Sequence, residues 1–431
     1  MINKYYNLAK KKLFTINRSI TGRGIRKTLQ ILKENEKNIK IKSFKSGTKV
    51  FDWNIPPEWN VTKAYVLDKN NNKIIDFEKN NLHLVSYSAP INKFIDKKTL
   101  LKHLHTSKKL KNAIPYVTSY YKKYWGFCCT ENKKKEIKKF YKNSDKFKVY
   151  INSSFKKKGK LVYGECTLKG RSSQEIIIST YVCHPSMANN ELSGPIVSMS
   201  LINYFKGINL KKTLKFLFIP ETIGSISYLY KNLQNLKKKC IGGYLLTCIG
   251  DEGKHSCMLS RNSNSISDKS LINAYKKLNI KYKIYSYLER GSDERQYNYP
   301  GIDLGFSSIF KSKYGKYKQY HTSLDDFKFV TLKGVTSGFK VAKTAINILQ
   351  NQIVPKNKYQ CEPKLSKHKL YKDISAHSGF TKKDFSRKIL DFLNYCDGTN
   401  SIEDIAKITK LSNKEAFLIF QLLKKKKLIK Y

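Results

Sequence analysis

Four short polar clusters hold the residues of this chain that are able to do chemistry: CHPSMANNELSG at 183–194, PETIGS at 220–225, GSDERQY at 291–297 and YHTSLDDF at 320–327. Together they offer His184, Glu221, Asp293 and His321. Two imidazoles and two carboxylates suit a borderline ion such as zinc and the activation of water. No one of the four carries that reading alone. A single histidine is most often hydrogen-bonded or at the surface, and a single carboxylate is usually solvated. Their weight comes from position, since each cluster falls where a strand is expected to end, and open α/β sheets gather their ligands at the carboxyl ends of strands.

The strands expected to position them are EIIISTYVC, TLKFLFIP, GGYLLTCIG, IKYKIYSY and DLGFSSIF. Their near-continuous apolar character predicts burial on both faces. Helical spacing follows in PIVSMSLINYFKG, SISYLYKNLQNL, KSLINAYKKLN and LKGVTSGFKVAKTAINILQ, with Pro195 suited to a first helical turn. The fold class is therefore α/β, a mixed and mostly parallel sheet flanked by helices. Residues 1–45 read as an N-terminal helical part of this domain, with Ile25, Leu29 and Leu32 on one helical face. Short alternating runs broken by Pro and Asn over 46–105 predict a small inserted antiparallel β domain, and 106–355 forms the core. After a polar linker, residues 366–431 give three helices, with DGTNS between the first two and LSNKE before the third, in the manner of a winged helix.

The chain has 431 residues, 40% of them hydrophobic, enough for more than one core. No stretch approaches the roughly 18–20 apolar residues of a membrane span, and MINKYYNLAKKKLF lacks the features of a secretory signal. A cytoplasmic location is the expectation. Nine cysteines without a C-x-x-C spacing read as reduced thiols. The net charge of +52 points formally to a polyanion. The lysines are scattered among Asn, Ile, Tyr and Phe, residues that A/T-rich codons specify. Solvated lysines are thus the favoured reading, and nucleic acid is not expected as a partner.

RSITG, SGTKVFDW, AIPYVTSYYK, STYVCHPSMANNELSGP, PETIGS, RGSDERQY and YHTSLDD together resemble the aminopeptidase-like proteins. These join a zinc aminopeptidase or glutaminyl cyclase type of fold to an inserted small β domain and a C-terminal winged helix. The resemblance covers almost the whole chain. It implies a metal-dependent peptidase or amide hydrolase, from a family often encoded among genes for surface polysaccharide biosynthesis.

Carried over residue by residue, it makes His184 and His321 metal ligands and Glu221 the general base, with Asp325 a local turn or helix-start partner. It also places Asn190 where active relatives bridge two metals with an aspartate, and Thr222 and Thr247 where they have further acidic ligands. Two zinc ions need several carboxylates to offset their repulsion, so one zinc ion is expected. Its ligands would be His184, His321 and a carboxylate from Glu191 or Asp293, with Asn190 offering only its carbonyl oxygen.

Arg290, Asp293, Glu294 and Arg295 are candidates for binding a charged substrate end, a mutual ion-pair network being the alternative. Asp251, Glu252 and His255 read as a solvated loop. Arg18 reads as part of a helix entry or as an anion holder.

The expected activity is hydrolysis of an amide bond in a small peptide or amino-sugar conjugate. A noncatalytic scaffold in polysaccharide assembly is the first alternative. A ligand-sensing DNA-binding regulator is the second. The helix around NKEAFLIFQLLKKKK has little polar surface for reading bases, so the winged helix is expected to dock a protein partner or to be structural.

Overall fold

A computed structural model describes residues 1–370 and 384–431. Its central sheet has eight strands: β1 (Lys40–Lys45), β2 (Lys160–Leu168), β3 (Glu175–Tyr181), β4 (Thr213–Ile219), β5 (Cys240–Leu246), β6 (His255–Met258), β7 (Tyr282–Tyr285) and β8 (Phe306–Phe310). Their spatial order is β1-β2-β4-β3-β5-β8-β6-β7. The middle four, β4, β3, β5 and β8, run parallel. The antiparallel pairings lie toward the margins, at β1–β2, β2–β4 and β6–β8.

Alternation along β3 explains its unbroken apolar run. Ile176 and Ile178 enter a core shared with helices Ser193–Phe205, Ile266–Lys277 and Leu332–Asn351, while Ile177 packs on the other face with Tyr228, Leu229 and Leu236 of helix Ile223–Lys239. A strand covered on both faces buries every position, and Glu175, Ser179 and Thr180 are buried with the rest. The expected α/β class and the four helices are observed.

Two stretches differ from the sequence reading. The small sheet draws its long middle strand, Lys146–Lys156, from beyond the anticipated 46–105, pairing it with Glu58–Leu67 and Ile91–Asp96. The pairing is long-range, and it buries Phe147, Val149 and Ile151 against Ala64 and Val66. The chain then returns to the central sheet at β2. The loop expected at 251–255 is buried at its two ends. Asp251 accepts from Asn189 and Ser312, and His255 begins β6 with its Nε2 2.7 Å from Ser337 Oγ. Glu252, Gly253 and Lys254 between them are exposed. Asp251 and His255 are held by internal hydrogen bonds, while Glu252 and the middle of the loop face solvent as expected.

Helices Asp384–Asn394, Ile402–Ile408 and Asn413–Lys425 share a separate core. The short strand Ile429–Lys430 pairs with Lys356–Asn357, so this unit reaches back before residue 366. Ser401 with Asp404 and Ser412 with Glu415 form reciprocal capping boxes that start the second and third helices. Among the described residues, no helix is long and apolar enough to cross a membrane.

Candidate functional site

The strand order reverses around β3, whose neighbours are β4 on one side and β5 on the other. Loops leaving these strands separate at such a point and leave a crevice. His184 follows β3, Glu221 follows β4 and Thr247 follows β5. His321 arrives on the long loop after β8, its ring centroid 5.4 Å from that of His184. Several of these loops are bent into conformations L-residues adopt at a cost: Ser186, Thr222, Cys248 and His321 all have positive φ. Such backbone clusters at functional sites.

His184 is 4% exposed and is held on both sides. Nδ1 lies 3.0 Å from Glu191 Oε2, and Nε2 lies 3.6 Å from Glu221 Oε2. Glu191 in turn pairs with Arg18 at 3.2 Å, both side chains fully buried, and Arg18 donates to the carbonyls of His184 and Leu13. Arg18 therefore locks the His184 loop, and it is neither a surface anion holder nor ordinary helix capping. Burial, and then the Arg18 charge, push His184 down to about 3. The imidazole is neutral and keeps a lone pair. Burial, and then His184, hold His321 well below its ordinary value as well.

Glu221 accepts 2.5 Å from the Ser292 hydroxyl through its other oxygen. Burial, and then the Asp293 charge, raise it above the usual carboxylate range. Asp293 and Glu294 do not face outward as a charged clamp. Asp293 accepts from the Thr222 amide and the Ser225 hydroxyl, and Glu294 accepts from the Gly291 and Ser292 amides and from Tyr314. Arg290 and Arg295 have no ion-pair partner among the described residues, so the mutual network is absent. The structure thus separates these four: two acids shape the loop and two arginines remain for other work.

Asn190 lies in the π-helical turn Ala188–Leu192. Its amide donates 2.7 Å to Tyr181 Oη, which lies 2.5 Å from Thr247 Oγ1, and its own Oδ1 is buried without a partner. Asp325 acts far from its own turn, taking the backbone amides of Asn189 and Asn190 on its two carboxylate oxygens.

Whether a metal ion suits these residues depends on which atoms are left free. Asn190, Tyr181 and Thr247 make a neutral hydrogen-bonded chain, and Thr222 spends its amide on Asp293 and its hydroxyl on Arg295. Two adjacent cations would lack carboxylates to offset their repulsion. Among the described residues, Cys183, His184 and Glu191 are the one trio of His, Cys, Asp or Glu whose ligand atoms all lie within 4.8 Å. That trio lies on the Nδ1 side, where the buried Arg18 charge already sits. The Nε2 side is different. His321 Nε2 is buried with no hydrogen-bond partner, and Glu221 Oε2 lies 3.6 Å from His184 Nε2, although His184, His321 and Glu221 do not bring their ligand atoms within 4.8 Å of one another. His321 Nε2 is thus the atom left free for one ion, and the residues present lack the carboxylates for two. Glu191 then orients His184 from behind, as a carboxylate behind a ligating imidazole commonly does.

Reading the residue types missed Arg18, Cys183, Ser292 and the aromatic walls. Tyr116 packs against both histidines, and Tyr320 stacks on His321 at 3.9 Å between ring centroids. Arg18, Tyr116 and Ser292 do lie in the quoted phrases RSITG, AIPYVTSYYK and RGSDERQY. That was the available signal.

A central sheet with its loops gathered at this crevice, plus an inserted β unit and a terminal winged helix, defines an aminopeptidase-like protein. A family described as a domain of unknown function, DUF4910, matches residues 6–352, and a winged helix-turn-helix family matches 352–431. The chain belongs to this family. It is 39% identical over 402 residues, 93% of its length and 90% of the other's, to a Clostridium acetobutylicum "putative polysaccharide biosynthesis protein with aminopeptidase-like domain". The crystal structure of a "putative peptidase" from Clostridium acetobutylicum matches all of the chain and 96% of its own, at 36% identity and a TM-score of 0.78. A Bacillus subtilis zinc aminopeptidase matches 80% of the chain and 94% of its own at 12% identity and a TM-score of 0.59, a likeness of fold.

Proposed function

We propose that this chain is a metal-dependent amide hydrolase that acts on a small peptide or amino-sugar conjugate in polysaccharide biosynthesis, using one zinc ion in a cytoplasmic setting. The observation that carries the reading is the pair of neutral imidazoles with His321 Nε2 buried and left bare, beside a carboxyl group held by Ser292. His184 Nε2 and His321 Nε2 would hold the ion. When bound, zinc supplies Lewis acidity toward a carbonyl oxygen and makes water more acidic.

The protein's own contribution is proton handling and orientation. Glu221 is lifted toward neutrality by burial, so its Oε2 can take a proton from water and return it to a leaving amine. Ser292 fixes the carboxyl's other oxygen, and Glu191 with Arg18 fixes the His184 ring. The aromatic wall of Tyr116 and Tyr320 keeps bulk water from the histidines.

The relative's name and the aminopeptidase fold support this reading. The neutral Asn190–Tyr181–Thr247 chain favours a second one, a noncatalytic scaffold in polysaccharide assembly. Hydrolysis of an aminoacyl reporter by zinc-loaded protein separates the two. The hydrolase reading expects turnover that Glu221→Gln reduces at least about a hundredfold. No turnover across peptide and amino-sugar reporters would favour the scaffold, and turnover that survives Glu221→Gln would remove Glu221 from the role of base. For the winged helix, outward-facing Phe417 and Leu418, at 42% and 55% exposure, support docking of a protein partner over base reading.

A further inference from the structure

A second cavity of about 960 Å³ opens beside the crevice, between the inserted β unit and the central domain. Its walls include Trp53 from a short hairpin, Leu229 from helix Ile223–Lys239, and Tyr287, Arg290, Arg295 and Tyr299 from the segment that also carries Ser292. The volume is that of a small-molecule site.

Two features of the wall select a ligand chemistry. The first is positive charge without a paired carboxylate, Arg295 acting on Glu221 and Asp293 only at longer range. Arg261, also on the wall, is already neutralised by Asp303 at 2.7 Å. Arg290 and Arg295 have no carboxylate within ion-pair distance among the described residues. Arg290 rests on the Tyr287 ring at 5.2 Å. Arg295 gives one N–H to Thr222 Oγ1, and its Nε–H is buried without an acceptor. Asp52 is the one acid on the wall. Planar guanidinium groups left open in this way suit a carboxylate or a phosphate.

The second feature is flat apolar surface. Trp53 is 40% exposed and Tyr299 is 63% exposed, and both offer faces on which the C–H side of a sugar or another ring can lie. Arg295 connects the cavity to the reacting end, because Thr222 directly follows Glu221.

We propose that this cavity binds an anionic group, a carboxylate or a phosphate carried on a ring, at the end of the substrate remote from the amide that is cut. The hydrolase reading enters only in saying which end of the ligand lies toward Glu221.

The test is isothermal titration of the full chain carrying Glu221→Gln with three probes: glucuronate, glucose 1-phosphate and glucose. Binding of at least one anion about tenfold tighter than glucose is expected, and the tighter anion says whether carboxylate or phosphate is preferred. Arg290→Gln, a change at an exposed side chain, should weaken that binding about tenfold, and Trp53→Ala should weaken it on the folded protein as well. Glucose binding as tightly as both anions, no binding of any probe, or anion binding unchanged in Arg290→Gln would overturn the proposal. Anion binding without reporter hydrolysis by the unmutated protein would sink the hydrolase reading alone. Hydrolysis without anion preference would sink this one alone.

Discussion

At the residue scale, the site depends on a buried ion pair that joins segments more than 170 residues apart. Arg18 and Glu191 are both fully buried, and burial lifts the Glu191 carboxyl to about 8 even beside Arg18, so losing the arginine forces it to take up a proton or to stay charged without solvent. Arg18→Met should lower stability by roughly 3–5 kcal/mol. The double change Arg18→Met with Glu191→Leu should recover part of that loss, as read from thermal unfolding midpoints. An undiminished midpoint in the single variant would mean that Glu191 is not charged there. His255 makes a separate pH prediction. Burial, and then the Lys311 charge, lower it from 6.5 to about 4. The unfolded chain therefore binds the extra proton first, and the folded form loses stability as pH falls from about 6.5 to 4. His255→Gln should flatten that part of the stability profile. An identical acid profile in the variant would assign the loss to other groups.

At the element scale, the central strands were legible and several of their partners were not. Apolar runs such as the three isoleucines of EIIISTY can be read because covering both faces removes the polar alternation. His184 could be placed at a strand end for the same reason. The Lys146–Lys156 strand does show alternation, but its partners lie some 50 to 98 residues earlier, and local spacing cannot say which sheet it joins. The role of Glu191 was hidden likewise: its type suggests a ligand, and only the fold brings Arg18 to it. Close packing supplies a test at this scale. A Cβ on Gly194 would sit 2.1 Å from Thr180 Oγ1 and 2.3 Å from the Leu246 carbonyl, so helix Ser193–Phe205 could not keep its approach to β3 and β5. Gly194→Ala should cost about 1–3 kcal/mol by the overpacking effect. Gly207→Ala, with nothing within 4 Å, should be near neutral. Equal midpoints for the two variants would contradict the packing described.

At the scale of the whole molecule, three cores divide the work. The aminopeptidase-like domain builds the crevice, the inserted β unit lends the hairpin that walls the neighbouring cavity, and the winged helix packs on its own core. The charge of +52 is spread over all of them. Retention on duplex DNA should therefore be independent of sequence and fall steeply between 50 and 200 mM salt, by about a thousandfold or more if six or more phosphates are contacted. Sequence-dependent retention that survives 200 mM salt would favour the regulator instead.

The central claim is one metal ion between two neutral imidazoles. Its most direct test is the zinc content of protein purified without chelator, loaded with zinc and freed of excess. The account predicts one zinc per chain, lost in both His184→Ala and His321→Ala while Cys183→Ser retains it. Two zinc ions per chain, none, or an ion that survives removal of His321 would contradict it.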